Sequence, residues 1–279
     1  MKALTLPVQA VAPPTGFARR WWRSPERTLH LLSLGSVAVL LLVWVFITET
    51  GIANELFLPG PGAVYDAFIK ASVSGYQGST LDEHLLTSLA RIMSGFGLAC
   101  IVGIPLGVVM GISARARATL NPMIEFYRPL PPLGLYSLLV MWLGIGETSK
   151  VALLFLAGLP GIVIATNMAV ANISPIYVRA AQSLGASGKD LFLQVYLPAA
   201  GPTILTGMRI SLGFVYTVLV AAEIVAATAG IGWMIWDASK FLLSDIVIMG
   251  LIVLGLTGVT LDLIMRLLGN ALMPWSKKL

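Results

Sequence analysis

Long apolar runs separated by short polar stretches dominate this 279-residue chain. Each run is close to the roughly 20 residues that an α-helix needs to cross the hydrocarbon core of a bilayer. The runs cover about residues 31–47, 85–112, 122–142, 151–170, 203–227 and 245–268. Between them, residues 144–150 are predicted as a turn, and the segment with Gly230, Gly232 and Trp233 as a loop. The pattern therefore predicts an all-α membrane protein with about six transmembrane helices.

The composition agrees with a membrane location. Hydrophobic residues make up 57% of the chain and charged residues 11%, whereas soluble domains carry about 25% charge. The net charge is +5, but the basic residues are scattered among the apolar runs and do not cluster on one face. This distribution argues against a nucleic-acid-binding face. The single cysteine, Cys100, excludes an intrachain disulfide and is expected to be a small buried apolar residue.

Basic residues are distributed unequally between the two sets of loops, and this asymmetry predicts the topology. We expect a cytosolic segment at 1–28, anchored at the interface by its Arg/Trp cluster, and a transmembrane domain at 29–279 with both termini cytosolic. No small-x-small cleavage pattern follows the first run, which is therefore expected to be a retained span. The tryptophans of the anchor are Trp21 and Trp22. The basic residues predicted on the cytosolic side are Arg19, Arg20, Arg23, Arg27, Arg115, Arg117, Arg179, Lys189, Lys277 and Lys278. Those predicted on the opposite side are Lys70, Lys150 and Lys240.

Two features of the spans indicate how they pack. Gly103, Gly107 and Gly111 recur every four residues, which predicts a helix face for close packing rather than a pore-facing groove. The third run contains Pro129, Pro131 and Pro132, and each proline removes a backbone donor. A broken helix is tolerated at membrane depth only where protein or a water-lined cavity surrounds it, so this break indicates a pathway.

The polar stretch 172–202 is predicted to lie on the cytosolic side as helix, turn and helix. Asn172 or Ser174 can cap the first helix, Gly185 permits a tight turn, and Pro198 is expected to end the second helix. A short helix with small side chains can seat in a groove of a soluble partner; the alternative is an ordinary loop. The segment 185–189 is too short for a phosphate loop and is followed by Asp190, so ATP hydrolysis must come from another polypeptide.

Several motifs resemble the permeases of the nitrate, sulfonate and bicarbonate importer group of the ATP-binding-cassette (ABC) superfamily. The resemblance covers about residues 30–276. It rests on the sequences FLPGPGAV at 57–64, EFYRPLPPL at 125–133, WLGIGETSK at 142–150, AAQSLGAS at 180–187, LTGMRI at 205–210 and VAAE at 220–223.

This resemblance implies a type I ABC importer permease in the inner membrane of a bacterium. The implied partners are a second copy of the chain, two cytosolic ATPases that bind ATP and Mg²⁺, and a periplasmic or lipid-anchored substrate-binding protein, with no cofactor in this chain. The implied substrate is taurine or another alkanesulfonate, with nitrate, bicarbonate or a vitamin precursor as alternatives. The ATPase-coupling residues would be Arg179, Ala180, Ala181, Ser183, Leu184, Gly185, Ala186, Ser187, Leu197 and Pro198; the family pattern usually has glutamate at the first of these.

Ionisable residues inside the spans are the candidates for the translocation pathway, because charge is costly in the bilayer. They are Arg91, Glu125, Arg128, Arg209 and Glu223, together with the prolines of the third run. One interpretation pairs Glu125 with Arg128 or Arg209, and Arg91 with Glu223. The other lets Arg128 contact an anionic head group in passage, because a guanidinium can donate two parallel hydrogen bonds to a sulfonate.

Two other function classes require features that this sequence does not have. An ATP-independent channel or carrier predicts internal repeats, which the sequence lacks. A membrane enzyme needs clustered acidic or histidine residues, whereas the only histidines, His30 and His84, are far apart and predicted at the membrane edges. Neither catalytic residues nor a metal site are predicted.

Overall fold

The computed structural model describes residues 26–275, so the predicted anchor at Arg19–Arg23 and the basic residues Lys277 and Lys278 lie outside the described residues. The described part is helical. In chain order its helices are α1 Glu26–Glu49, α2 Pro61–Val73, α3 Leu81–Ile112, α4 Ala114–Tyr127, α5 Pro132–Leu143, α6 Glu147–Ala171, α7 Pro175–Ser183, α8 Gly188–Leu191, a π-helical turn Phe192–Tyr196, α9 Leu197–Ala226, α10 Ile231–Lys240 and α11 Ser244–Leu272.

Five helices within residues 26–275 are long and apolar enough to cross a membrane, and they agree with five of the six predicted spans. The first of them, α1, belongs to a compact unit that ends at Pro61, and the remaining helices to a second unit. Within the first unit, the Trp44 indole donates to the Pro59 carbonyl at 3.2 Å, which ties the end of α1 to the following turn.

The predicted third span is two shorter helices, α4 and α5, separated at residues 128–131. The break occurs at the predicted prolines, and Pro131 and Pro132 form the N-cap and first turn of α5, where a missing donor costs nothing. Pro122, the predicted start of this span, lies inside α4, which begins eight residues earlier at Ala114. The Arg117 guanidinium donates to the carbonyls of Met110 and Gly111, where it complements the dipole at the C-terminus of α3.

Two predictions for other segments are wrong. Pro198 does not end a helix; it lies in the first turn of α9, directly after the π-helical turn. The Leu197 amide bonds to the Phe192 carbonyl, five residues back, and this wider turn makes room for a proline ring without a backbone donor. The segment around Gly230 and Trp233, predicted as a loop, begins helix α10.

Helix α6 is at the centre of the second unit and packs against α3, α5 and α9. Its contact with α3 is made at the predicted glycine face. A Cβ at Gly107 would lie 2.5 Å from the Thr166 Cβ, and one at Gly111 would lie 2.5 Å from the Val170 Cβ. The packing interpretation of these glycines is therefore confirmed.

Candidate functional site

The predicted coupling segment is built around α7. The Ser174 hydroxyl accepts from the Ile176 amide and caps the helix, as one of the two predicted caps, and Pro175 lies in the first turn. At the other end, the Ala186 amide bonds to the Ala181 carbonyl and the Gly185 amide to the Gln182 carbonyl, both at 3.0 Å. These two bonds form a Schellman motif, whose left-handed position is occupied by Gly185 at φ 89°.

The segment presents a largely exposed surface. Leu184 is 89% exposed, and Ile176 and Tyr177 are also open to the surroundings. Among the predicted coupling residues, Ala181, Ala186 and Pro198 are half-buried; those that are exposed are Arg179, Ala180, Ser183, Leu184, Gly185, Ser187 and Leu197. Exposed apolar side chains beside small residues are suited to contact with another protein.

The residues around the helix break are also open. Glu125, Arg128, Pro129 and Pro131 are exposed in the single chain, and Pro132 is half-buried. The predicted pairing of Glu125 with either arginine is wrong: its carboxylate accepts from the Asn121 side chain, and within residues 26–275 it makes no ion pair. Arg128 likewise has no ion pair within that range. Its exposure leaves its guanidinium free to meet another molecule.

Arg209 pairs with a residue that sequence reasoning missed. Its guanidinium donates through Nε and Nη2 to the two carboxylate oxygens of Asp262 on α11, at 2.8 and 3.1 Å. Arg266, one helical turn beyond Asp262, donates to the same carboxylate at 2.8 Å. The signal was present in the sequence, because Asp262 and Arg266 are spaced i,i+4 inside an apolar run.

The predicted pair of Arg91 and Glu223 is confirmed, with 2.7 Å between Nη1 and Oε1. Arg91 also makes a bidentate contact with Glu147 at 2.6 and 2.7 Å, and Lys150 bonds to Glu147 at 2.9 Å. Both cations are almost fully buried. Glu147 was assigned to a turn, and no local pattern connects it with a residue 56 positions away.

Glu223 and His84 extend this network to α10. The Glu223 carboxylate accepts from the Ser88 hydroxyl at 2.7 Å and from the Gly232 amide at 2.8 Å. The buried His84 ring accepts the Gly230 amide at Nδ1, and its other nitrogen contacts the Tyr76 carbonyl. His84 lies in the first turn of α3, and its ring is buried against protein, where it holds the start of α10. The network fastens α3, α6, α9 and α10 together.

Tyr76 makes a second connection to α10 on the same side. Its hydroxyl donates to Asp237 at 3.1 Å, and its ring lies against Trp233. Burial of the phenol, together with the hydrogen bond to Asp237, raises the pKa of Tyr76 to about 12. The side chain is neutral at physiological pH and acts as a donor.

Comparison with known proteins places this geometry in a family. Residues 103–273 match the family model described as binding-protein-dependent transport system inner membrane component. The taurine transport system permease protein TauC of Escherichia coli is 43% identical over 91% of this chain and 93% of its own length. The putative aliphatic sulfonates transport permease protein SsuC of Escherichia coli is 34% identical over 88% of this chain and 90% of its own. The nitrate import permease protein NrtB of Synechocystis is 31% identical over 87% of this chain and 89% of its own.

A similar fold occurs among solved structures. A chain of the MetNI methionine ABC transporter in an inward-facing conformation aligns with a TM-score of 0.60, covering 70% of this chain and 94% of its own. At 18% identity, this likeness concerns the fold alone.

Proposed function

The chain belongs to the family of binding-protein-dependent transport system inner membrane components, and on that premise we propose that it forms the translocation pathway for taurine or another alkanesulfonate. As a member of this family it is the permease component of an ABC importer, a multi-pass inner-membrane protein and not an enzyme. The observation that carries the choice of substrate is the 43% identity to a taurine permease over nearly the whole chain.

The substrate class can be tested directly. The chain is reconstituted into lipid vesicles with its ATPase and its binding protein, and uptake of labelled taurine is measured with and without ATP. We expect ATP-dependent taurine uptake that excess ethanesulfonate reduces and excess nitrate leaves unchanged. Uptake of nitrate without uptake of any sulfonate would assign the chain to the other branch of its relatives.

The exposed segment 174–187 is proposed as the surface that docks onto the ATPase. Three observations support this role: a capped helix, a glycine-stabilised turn and the exposed side chains of Leu184, Ile176 and Tyr177. The segment joins α9 through the π-helical turn Phe192–Tyr196, so a displacement of α7 is passed to a transmembrane helix. ATP and Mg²⁺ belong to the ATPase in this proposal.

A cysteine cross-link tests this docking. In a Cys100→Ala background, Leu184→Cys is expected to cross-link to a cysteine in the ATPase groove in the assembled complex. Ile145→Cys is the matched control, because Ile145 is 81% exposed and lies just before the N-terminus of α6, whereas segment 174–187 follows its C-terminus. Cross-linking from Ile145→Cys alone, or from neither variant in any nucleotide state, would contradict the proposed docking surface.

The membrane topology and the other subunits of the transporter are proposed from the family membership of the chain. We propose that both termini and segment 172–202 are cytosolic, as the basic residues predict, and that a second copy of the chain and two ATPases complete the transporter. A periplasmic or lipid-anchored binding protein is proposed to deliver substrate on the opposite side.

The pathway is proposed to run past the broken span. Arg128 and the neighbouring prolines are exposed in the single chain, and an exposed charge at a helix break is stable only beside protein or water. The burial of Arg91 and Glu223 favours a structural role for that pair.

A further inference from the structure

A groove between α9 and α11 contains charged side chains at membrane depth. Two cavities lie along it, one of about 290 Å³ and one of about 340 Å³, and Arg209 lines both. Asp262 lines the first cavity and Arg266 the second. The ion pair of Arg209 with Asp262 therefore lies between two spaces, each large enough for a small organic anion.

The three side chains do not balance one another electrically. The Asp262 carboxylate is shared by two guanidinium groups, through Nε and Nη2 of each arginine. The cluster therefore carries one excess positive charge. Within residues 26–275, Arg266 has no other acidic partner. Nη1 of both arginines is not used in bonding the carboxylate, so each retains donors for a further acceptor.

The cluster of Arg209, Asp262 and Arg266 lies well inside the membrane-spanning helices, yet its side chains are partly exposed in the single chain. Asp262 lies ten residues before Leu272, the end of α11, which is about 15 Å at the rise of an α-helix. The side chains of Arg209, Asp262 and Arg266 are 30%, 35% and 60% exposed in the single chain. Charges at such depth face protein or a water-filled cavity and not lipid.

We propose that this cluster is a binding site for the sulfonate group of the substrate inside the membrane, an inference that rests on the proposed function. A sulfonate carries one negative charge and three acceptor oxygens, which match the excess charge and the unused donors of Arg209 and Arg266. Asp262 competes for the same donors. The arginines exchange the carboxylate for the sulfonate as substrate passes from one cavity to the other, and the competition keeps binding weak enough for release.

A purely structural role of the cluster makes the opposite prediction. If the ion pairs served only to hold α9 against α11, Asp262→Asn would be the most damaging change, because it removes both pairs. Arg266→Gln would then have little effect, since the bond between Arg209 and Asp262 remains. If the cluster is a binding site, the protein still folds with Asp262→Asn, which affects only the release of substrate. Uptake then requires the excess positive charge that Arg266→Gln removes.

The experiment compares these two variants in vesicles that contain the complete transporter, at matched protein level. Initial rates of taurine uptake are measured against the concentration of taurine-loaded binding protein, together with ATP hydrolysis. Arg266→Gln is expected to lower the uptake rate about tenfold, the effect of one lost charge-assisted hydrogen bond, while ATP hydrolysis stimulated by the binding protein continues. Asp262→Asn is expected to lower the maximal uptake rate by slowing release, with no loss of protein from the membrane.

The outcomes separate the two proposals. If wild-type vesicles take up no sulfonate, the proposed function fails, and this inference fails with it. If wild-type uptake is normal and Arg266→Gln equals it, the binding site alone is refuted. Loss of folded protein with Asp262→Asn, with normal uptake by Arg266→Gln, would establish the structural role instead.

Discussion

Arg91→Met is expected to destabilise the second unit by about 3–5 kcal/mol, the usual effect of removing one partner from a buried ion pair. The change leaves the fully buried Glu223 carboxylate without its cation and the Ala229 carbonyl without this donor, and Glu147 keeps only its ion pair with Lys150. Thermal unfolding of the purified chain in detergent, and the yield of folded protein from the membrane, measure the effect.

Two further variants establish the cause. The double variant Arg91→Met, Glu223→Gln is expected to recover part of the lost stability, because it removes the unpaired buried charge. Arg115→Met is the control, since Arg115 is exposed and its replacement should change stability by less than about 0.5 kcal/mol. Equal effects of Arg91→Met and Arg115→Met would contradict the importance of the network.

Gly107→Leu is expected to prevent α3 from packing against α6. Even the first carbon of the new side chain would lie 2.7 Å from the Val163 carbonyl oxygen, and backbone cannot move aside without separating the helices. Gly107→Ala already overpacks this contact and is expected to cost about 1–3 kcal/mol. The yield of folded chain and its thermal unfolding temperature report both changes.

Helix α3 itself provides the matched control for this substitution. A Cβ at Gly97 meets nothing within 4 Å, so Gly97→Ala adds the same methyl group at no steric cost. It should leave stability unchanged or raise it by about 0.5–1 kcal/mol, the helical preference of alanine over glycine. Equal destabilisation by Gly97→Ala and Gly107→Ala would refute close packing as the reason for the glycine spacing.

Local features were predictable where neighbouring residues decide the structure. The break in the third span and the Ser174 cap were both found from the sequence, because they depend on residues within one or two turns. The continuous helix through Pro198 was missed. A π-helical turn accommodates that proline.

The charge pairs show the same division. The pairing of Arg91 with Glu223 was one of the two interpretations of the ionisable residues drawn from the sequence, and the structure contains it. Glu147 and Asp262 were not recognised as partners of Arg91 and Arg209, from which they are separated by more than fifty positions along the chain. Several carboxylates lie at similar depth in the spans, and no local sequence pattern indicates which of them pairs with a given arginine.

The hydrophobic pattern by itself determined that the chain is a helical membrane protein, where its spans lie and where one of them breaks, because bilayer thickness and proline chemistry act on consecutive residues. Only the tertiary structure decided which charges neutralise one another and which remain in excess. Ion pairing depends on distances between helices, and those distances are set by side-chain packing along the contacts of α6 with α3 and α9. The excess positive charge at Arg209, Asp262 and Arg266 is therefore a property of the fold.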